Sequence, residues 1–326
     1  MRSLNVQSRR FAIRDGFTIS RGTRTHAEVV EVTLTEHGAT GHGECTPYAR
    51  YGETVESVVD QICGLRDRLE AGLDVTQLSQ LISPGAARNA IDCALWDLQC
   101  KRTGQAIHDL LSLPAPRPLS TAFTLSLGDP NTMAEQAWAN RHRPLLKVKL
   151  GGDGDPDRMH AVMGHCGDAQ VIVDANEAWE PANLWEWLDL AAELGIAMVE
   201  QPLPAENDTV LNERDRPLPV CADESCHDQA SLSKLVGRYD LVNIKLDKTG
   251  GLTEALATKQ KAKELGFGIF IGCMMGSSLA MAPAFFLANE ADYVDLDAPL
   301  LLSEDREPPL AFTDSTIQPP DADLWG

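Results

Sequence analysis

No apolar run in this 326-residue chain approaches the roughly 20 residues that a membrane-crossing helix needs. The opening stretch MRSLNVQSRRFAIRDGF has no apolar core of a secretory leader, so the expected location is the cytoplasm. Cationic side chains are scarce: 28 Lys and Arg stand against 48 Asp and Glu, a formal net charge of −20. That balance argues against nucleic acid and anionic membrane surfaces as partners, and it requires a few local cations to hold any anionic small molecule. The eight histidines contain no His-x-His or His-x-x-x-His pair. Cys221 and Cys226 are too far apart for a Cys-x-x-Cys ligand pair. The cysteines therefore read as reduced thiols, with Cys63 and Cys166 as small core residues.

What is present is ordinary in bulk, with 43% hydrophobic and 23% charged residues, and distinctive in order. Residues 1–118 do not repeat. EVVEVTL (Glu28–Leu34) alternates like a strand, GHGECTPYARYGET (Gly41–Thr54) is a punctuated loop, and Ala86–Gly104 carries a helical pattern ended by glycine. The prolines of SLPAPRPLS (Ser112–Ser120) mark a boundary.

From residue 119 onward, eight short apolar runs alternate with amphipathic stretches: TAFTLSLG, LLKVKLGG, AQVIVDAN, IAMVEQP, PVCADES, LVNIKLDKTGG, FGIFIGC and DYVDLDAP. Five consecutive runs end at Lys149, Asp174, Glu200, Asp223 and Lys245, at intervals of 25, 26, 23 and 22 residues. One βα unit needs about that length, and successive units build a parallel sheet. The expectation is a closed barrel of the (β/α)₈ type, with a doubly wound open sheet as the competing architecture.

Each run delivers one ionisable residue at its C-terminal end, the face on which barrel active sites are built. Asp174, Glu200 and Asp223 would bring three carboxylates around one point, which needs a cation, and all-oxygen ligation suits Mg²⁺. Asn176, two residues after Asp174, is placed to hydrogen-bond a ligand carboxylate from behind. Lys149 and Lys245 flank the acids. Two bases on opposite faces of one carbon suit proton removal from one side and return from the other. Burial, the metal and Lys147 would lower the pKa of such a lysine.

KVKLGG (Lys147–Gly152), VDAN (Val173–Asn176), VEQPLP (Val199–Pro204), CADES (Cys221–Ser225) and NIKLDKTGG (Asn243–Gly251) resemble the muconate-lactonising subgroup of the enolase superfamily. GECTPYARYGE and AARNAIDCALWDL resemble its capping domain, so the likeness spans nearly the whole chain. It implies an α+β capping domain over residues 1–118, completed by residues 304–326, and a (β/α)₇β barrel over 119–303. It implies Lys149 and Lys245 as the acid/base pair and Asp174, Glu200 and Asp223 as Mg²⁺ ligands. Cycloisomerisation, o-succinylbenzoate synthesis, N-acylamino acid racemisation and dipeptide epimerisation share this signature.

The stretch DYVDLDAPLLL (Asp292–Leu302) separates them. Read as a strand, it points Asp295 and Asp297 to one face, where two carboxylates would meet the free ammonium of a dipeptide. An Asp-x-Asp here resembles the dipeptide epimerases, which implies peptides of L-Ala with D- or L-Glu as substrates in peptidoglycan peptide recycling. The loop SRGTRT (Ser20–Thr25) offers Arg21 and Arg24 for the Glu side-chain carboxylate, with Arg24 favoured by the resemblance, and Thr124 is a candidate for the pocket wall. A homo-oligomer is compatible with the sequence. FIGCMMGSS on the seventh run has no histidine, consistent with a two-lysine mechanism. Asp155 before Pro156 reads as a helix cap, and KTGG (Lys248–Gly251) as punctuation between strand and helix.

Overall fold

A computed structural model describes residues 1–326. The N-terminal part is an antiparallel sheet of β1 (Ser3–Ile19), β2 (Gly22–Glu36) and β3 (Ala39–Cys45). Helices α1 (Val55–Gly64), α2 (Arg66–Glu70), α3 (Val75–Leu81) and α4 (Ala86–Thr103) pack on one face of it. The alternation in β2 buries Val30, Val32 and Leu34 against Ala90, Ala94 and Leu98 of α4. β3 lies directly on that helix: a Cβ added at Gly43 would sit 2.1 Å from the Ala90 carbonyl oxygen, so glycine is required there. Cys63 is exposed, because α1 turns its neighbours Val58 and Ile62 inward instead. None of the eight cysteines is paired.

After α5 (Ile107–Leu110) and a short β4 (Leu119–Ser120), eight parallel strands follow in sequential order. They are β5 (Phe123–Leu125), β6 (Leu145–Lys149), β7 (Gln170–Asp174), β8 (Met198–Glu200), β9 (Val220–Ala222), β10 (Leu241–Ile244), β11 (Gly268–Ile271) and β12 (Tyr293–Val294). The connections run through α6 (Pro130–Asn140), α7 (Asp155–Met163), α8 (Pro181–Glu193), α9 (Gln229–Leu232), α10 (Leu246–Thr249), α11 (Leu252–Glu264) and α12 (Ser278–Leu287). Only the crossover after β8 lacks an α-helix and uses two 3₁₀ turns, Ala205–Asn207 and Thr209–Asn212. This is the (β/α)₇β barrel. Its seam is not a laddered pair: β5 meets β12 through Ala122 N donating to Val294 O (2.8 Å) and Leu296 N donating to Thr121 Oγ (2.8 Å). No helix is long and apolar enough to cross a membrane.

Inside the barrel the period-2 rule stacks residues in layers. Ile172, Met198, Cys221, Leu241 and Phe270 form an apolar plug. Two residues further along three of these strands come Asp174, Glu200 and Asp223, aimed the same way but one layer nearer the mouth. The intervening residues, such as Val171, Val173 and Val199, face the helices and join the main core.

The final run departs from expectation. The strand ends at Val294; Asp297 has φ −91° and ψ −2°, and Ala298–Leu301 forms one helical turn, α13. Pro299 explains the change, since proline suits the first turn of a helix and cannot donate to a ladder. Asp155 likewise does not cap α7, whose preceding residue is Gly154. Its carboxylate instead accepts from Gly151 N (3.0 Å), Gly152 N (2.8 Å) and Trp179 Nε1 (2.8 Å), pinning the loop after β6. The chain then closes with a hairpin, β13 (Phe312–Thr313) and β14 (Thr316–Ile317), paired to β4. Buried Trp325 donates to Cys93 O on α4 (3.1 Å).

Candidate active site

The barrel mouth opens into a cavity whose walls come from both parts of the chain. Lys147, Lys149, Asp223, Lys245, Asp295 and Asp297 rise from the strand ends. Phe17, Ile19, Arg21 and Arg24 descend from the β1–β2 hairpin, and Tyr48 and Tyr51 from the loop after β3. Two bonds clamp the hairpin down: Thr18 N donates to Ser126 Oγ (2.8 Å) and Leu127 N to Thr18 O (3.0 Å).

At the centre, one oxygen each of Asp174, Glu200 and Asp223 lies within 4.8 Å of the others, and all three residues are buried. Lys149 Nζ donates to Asp174 Oδ2 (2.6 Å) on one side and Lys245 Nζ to Asp223 Oδ2 (2.6 Å) on the other. Lys147 sits beneath, 3.3 Å from Asp174, 2.8 Å from Glu200 and 2.9 Å from Asp295. Glu200 Oε1 accepts from Asn243 Nδ2 (2.7 Å); its Oε2, despite the nearby Lys147, has no well-directed hydrogen bond. Three buried carboxylates converging on one point fit a hard cation, and Mg²⁺ suits this all-oxygen set.

The charges are strongly coupled. Burial alone would raise Asp174, but Lys149 and Lys147 hold it down at about 2. Glu200 goes the other way, lifted to about 7 by burial and by Asp174. Burial pulls Lys245 down, yet Asp223 more than reverses this and leaves its ammonium above the ordinary lysine range. At Lys245 the expected lowering is therefore not produced by the chain's own charges, because its ammonium lies against the Asp223 carboxylate. Lys147 is also raised, with burial outweighed by Asp295, Glu200 and Asp174.

Around the final strand, Asp295 and Asp297 are both buried and line the cavity, but each already has a partner within the protein. Asp295 Oδ2 accepts from Lys147 Nζ (2.9 Å), and its Oδ1 is 3.4 Å from Thr124 Oγ. Asp297 Oδ2 accepts from Thr124 N (2.6 Å), while burial and Asp295 lift its pKa to about 7. Lys147, read from sequence only as a cation near Lys149, is thus a partner of Asp295 within the protein, in addition to the substrate ammonium expected from the sequence. Asn176 also differs in detail. Its φ of +44° aims its backbone N–H at Asp174 Oδ1 (2.9 Å), so the main chain and not the amide side chain meets the carboxylate.

Sequence reasoning missed Lys248, which was taken as part of a turn. Its Nζ donates to Asp223 Oδ1 (2.6 Å), Asp223 O (2.6 Å) and Asn243 O (2.8 Å). It also missed Glu224, next to Asp223, and Tyr48. The two loop arginines separate cleanly. Arg21 is engaged with Glu224, Tyr48 and the Asn176 carbonyl, whereas Arg24 forms no ion pair and lies over the Tyr48 ring (5.1 Å).

A cap docked on a (β/α)₇β barrel, with an acidic triad raised on three neighbouring strand ends, defines an enolase-type protein. Residues 131–323 match the family model described as enolase C-terminal domain-like, and residues 1–112 that of the mandelate racemase/muconate lactonizing enzyme N-terminal domain. The chain belongs to this family of the enolase superfamily. It is 46% identical to the L-Ala-D/L-Glu epimerase of Escherichia coli K12, over 96% of this chain and 98% of that one. It is 43% identical to an N-acetyl-D-glutamate racemase from Pseudoalteromonas, covering 91% and 95% respectively. Among solved structures, an Agrobacterium tumefaciens enolase family member with homology to dipeptide epimerases, holding sodium and L-Ala-L-Glu, superimposes with a TM-score of 0.98 at 50% identity over 100% of both chains.

Proposed function

We propose that the protein is a Mg²⁺-dependent epimerase of dipeptides, interconverting L-Ala-D-Glu and L-Ala-L-Glu in the cytoplasm as part of peptidoglycan peptide recycling. The observation that carries this reading is one cavity lined by Lys149, Lys245 and the buried Asp295–Asp297 pair, with Asp223 of the acidic triad in its wall. We read residues 1–118, with 304–326, as the cap that shapes the pocket, and 119–303 as the barrel that supplies the chemistry.

Asp174, Glu200 and Asp223 would hold Mg²⁺, which when bound supplies positive charge for the substrate's α-carboxylate and for the negative charge developing there. Lys149 and Lys245 do the proton work. One takes the α-proton of the second residue, leaving the C–H electron pair in the adjoining carboxylate system; the other gives a proton to the opposite face of the same carbon. Their pairing with different triad members supports placing them on opposite sides of the substrate carbon. Asp295 and Asp297, with Thr124, receive the terminal ammonium. Lys147 and the backbone of Asn176 steady the carboxylates, and Arg24 takes the Glu side-chain carboxylate.

The test is turnover of L-Ala-L-Glu in D₂O with Mg²⁺, followed by α-deuterium incorporation and by chiral analysis of the hydrolysed product. Deuterium at the Glu α-carbon together with D-Glu supports the reading. The Pseudoalteromonas likeness makes N-acetylglutamate the informative rival: exchange in that compound but not in the dipeptide would overturn dipeptide epimerisation in favour of an N-acylamino acid racemase.

A further inference from the structure

The two arginines of the β1–β2 hairpin are only three residues apart, both border the cavity, and their surroundings are opposite in kind. Arg21 is saturated. Its Nη2 donates to Glu224 Oε1 (2.6 Å) and Tyr48 Oη (2.8 Å), and its Nη1 to Asn176 O (3.0 Å) and Glu177 Oε2 (3.2 Å). Ser20 Oγ donates to the same Asn176 carbonyl (2.9 Å). Glu177 in turn takes both Arg50 Nε (2.8 Å) and Nη2 (2.9 Å) from the loop after β3. One guanidinium therefore ties together the hairpin tip, the loop after β3, the loop after β7 and the loop after β9.

Glu224 is the key partner. Its residue lines the cavity, it is 3% exposed, and its other oxygen, Oε2, has no hydrogen-bond partner. A buried carboxylate with one orphan oxygen depends on its single cation, and removing that cation leaves an uncompensated charge facing the cavity. Arg21 also holds the Tyr48 hydroxyl, and the Arg24 guanidinium lies over that ring, 5.1 Å from the centroid, with Arg21 at 5.7 Å.

We propose that Arg21 is a positioning residue that latches the β1–β2 hairpin over the mouth through Glu224 and Asn176, neutralises Glu224, and thereby leaves Arg24 alone to read the substrate's second side chain. This rests on the dipeptide reading above. Arg21 itself touches no substrate; it fixes the wall that carries Phe17, Ile19 and Arg24.

The experiment compares wild type, Arg21→Gln, Arg24→Gln, Glu224→Gln and the Arg21→Gln/Glu224→Gln double variant with Mg²⁺, on L-Ala-L-Glu and L-Ala-L-Gln. A latch predicts that Arg21→Gln raises KM for both dipeptides by a similar factor, about ten-fold or more, and preserves the preference for Glu. Arg24→Gln should instead collapse that preference. The double variant should be no worse than Arg21→Gln, since the two residues act as one unit. Hydrogen exchange of the hairpin, read without substrate, should quicken at the Thr18 and Leu127 amides in Arg21→Gln and stay as in wild type in Arg24→Gln. Loss of the Glu preference in Arg21→Gln, multiplying losses in the double variant, or unchanged hairpin exchange would each overturn the latch. A wild type inert on both dipeptides would defeat the functional reading, while the exchange measurement would still decide the latch on its own.

Discussion

Lys147 shows how much one side chain can hold together. Its single ammonium touches two triad carboxylates and Asp295, so the metal end and the ammonium end of the pocket share a cation. Asp295 and Asp297 should therefore fail differently. Asp297→Asn removes charge whose only protein partner is the Thr124 amide, and is expected to raise KM for a free dipeptide by about 10–100-fold with kcat nearly kept. The same change should spare an N-acetylated substrate, which brings no ammonium. Asp295→Asn also releases Lys147 and should lower kcat as well; steady-state kinetics on both substrates separates the two. Lys149→Ala and Lys245→Ala are each expected to cut epimerisation at least about 10²-fold, measured by α-deuterium incorporation in D₂O. A variant that epimerises at the wild-type rate removes that lysine from the mechanism.

At the level of elements, cap and barrel meet through buried carboxylates. Glu44 on β3 accepts from Ser277 N (2.7 Å) and from Ser277 Oγ at the start of α12, and burial pushes its pKa up to about 7. A folded-state pKa above the unfolded one means stability that is complete below the unfolded value of 4.5 and is lost as pH rises through about 7. Between pH 5 and pH 8, Glu44→Gln should therefore gain on wild type by up to a few kcal/mol, read from urea midpoints at each pH. Gly43→Ala tests the same junction by steric means: its Cβ would meet the Ala90 carbonyl at 2.1 Å, and a loss of about 3 kcal/mol or more is expected in thermal unfolding. Such elements differ in how far the sequence discloses them. The triad and the two lysines were legible because each interrupts an apolar run at its end, and period 2 then fixes the face. Lys248 was not, since its partner Asp223 is 25 residues away and arrives only when β9 and β10 pair. Arg21 and Arg24 could be ranked only through the resemblance, for the same reason: nothing local says that Asn176 and Glu224, 155 and 203 residues on, will claim the first of them. The end of β12 was misread because alternation continues past Val294 while Pro299 already commits the chain to a turn of helix.

Across the whole molecule, a net charge of −20 and a buried triad of carboxylates favour a bound cation at the barrel centre. EDTA should abolish activity and Mg²⁺ restore it, and saturating Mg²⁺ should raise the unfolding free energy by about 3 kcal/mol at a hundred times its dissociation constant. The fold also sets an order in time. Thr124 and Asp297, joined across the seam by a 2.6 Å bond, are 173 residues apart, and Asp295 lies beside them. A ribosome that has released the first seven barrel strands has already made the triad, both lysines and Thr124, but not Asp295 and Asp297, the acids proposed to meet the peptide's amino end. The proposed recognition of the peptide's amino end is therefore withheld until the last strand reaches the first, and a chain cut before Asp295 carries the acids and bases without that part of the pocket.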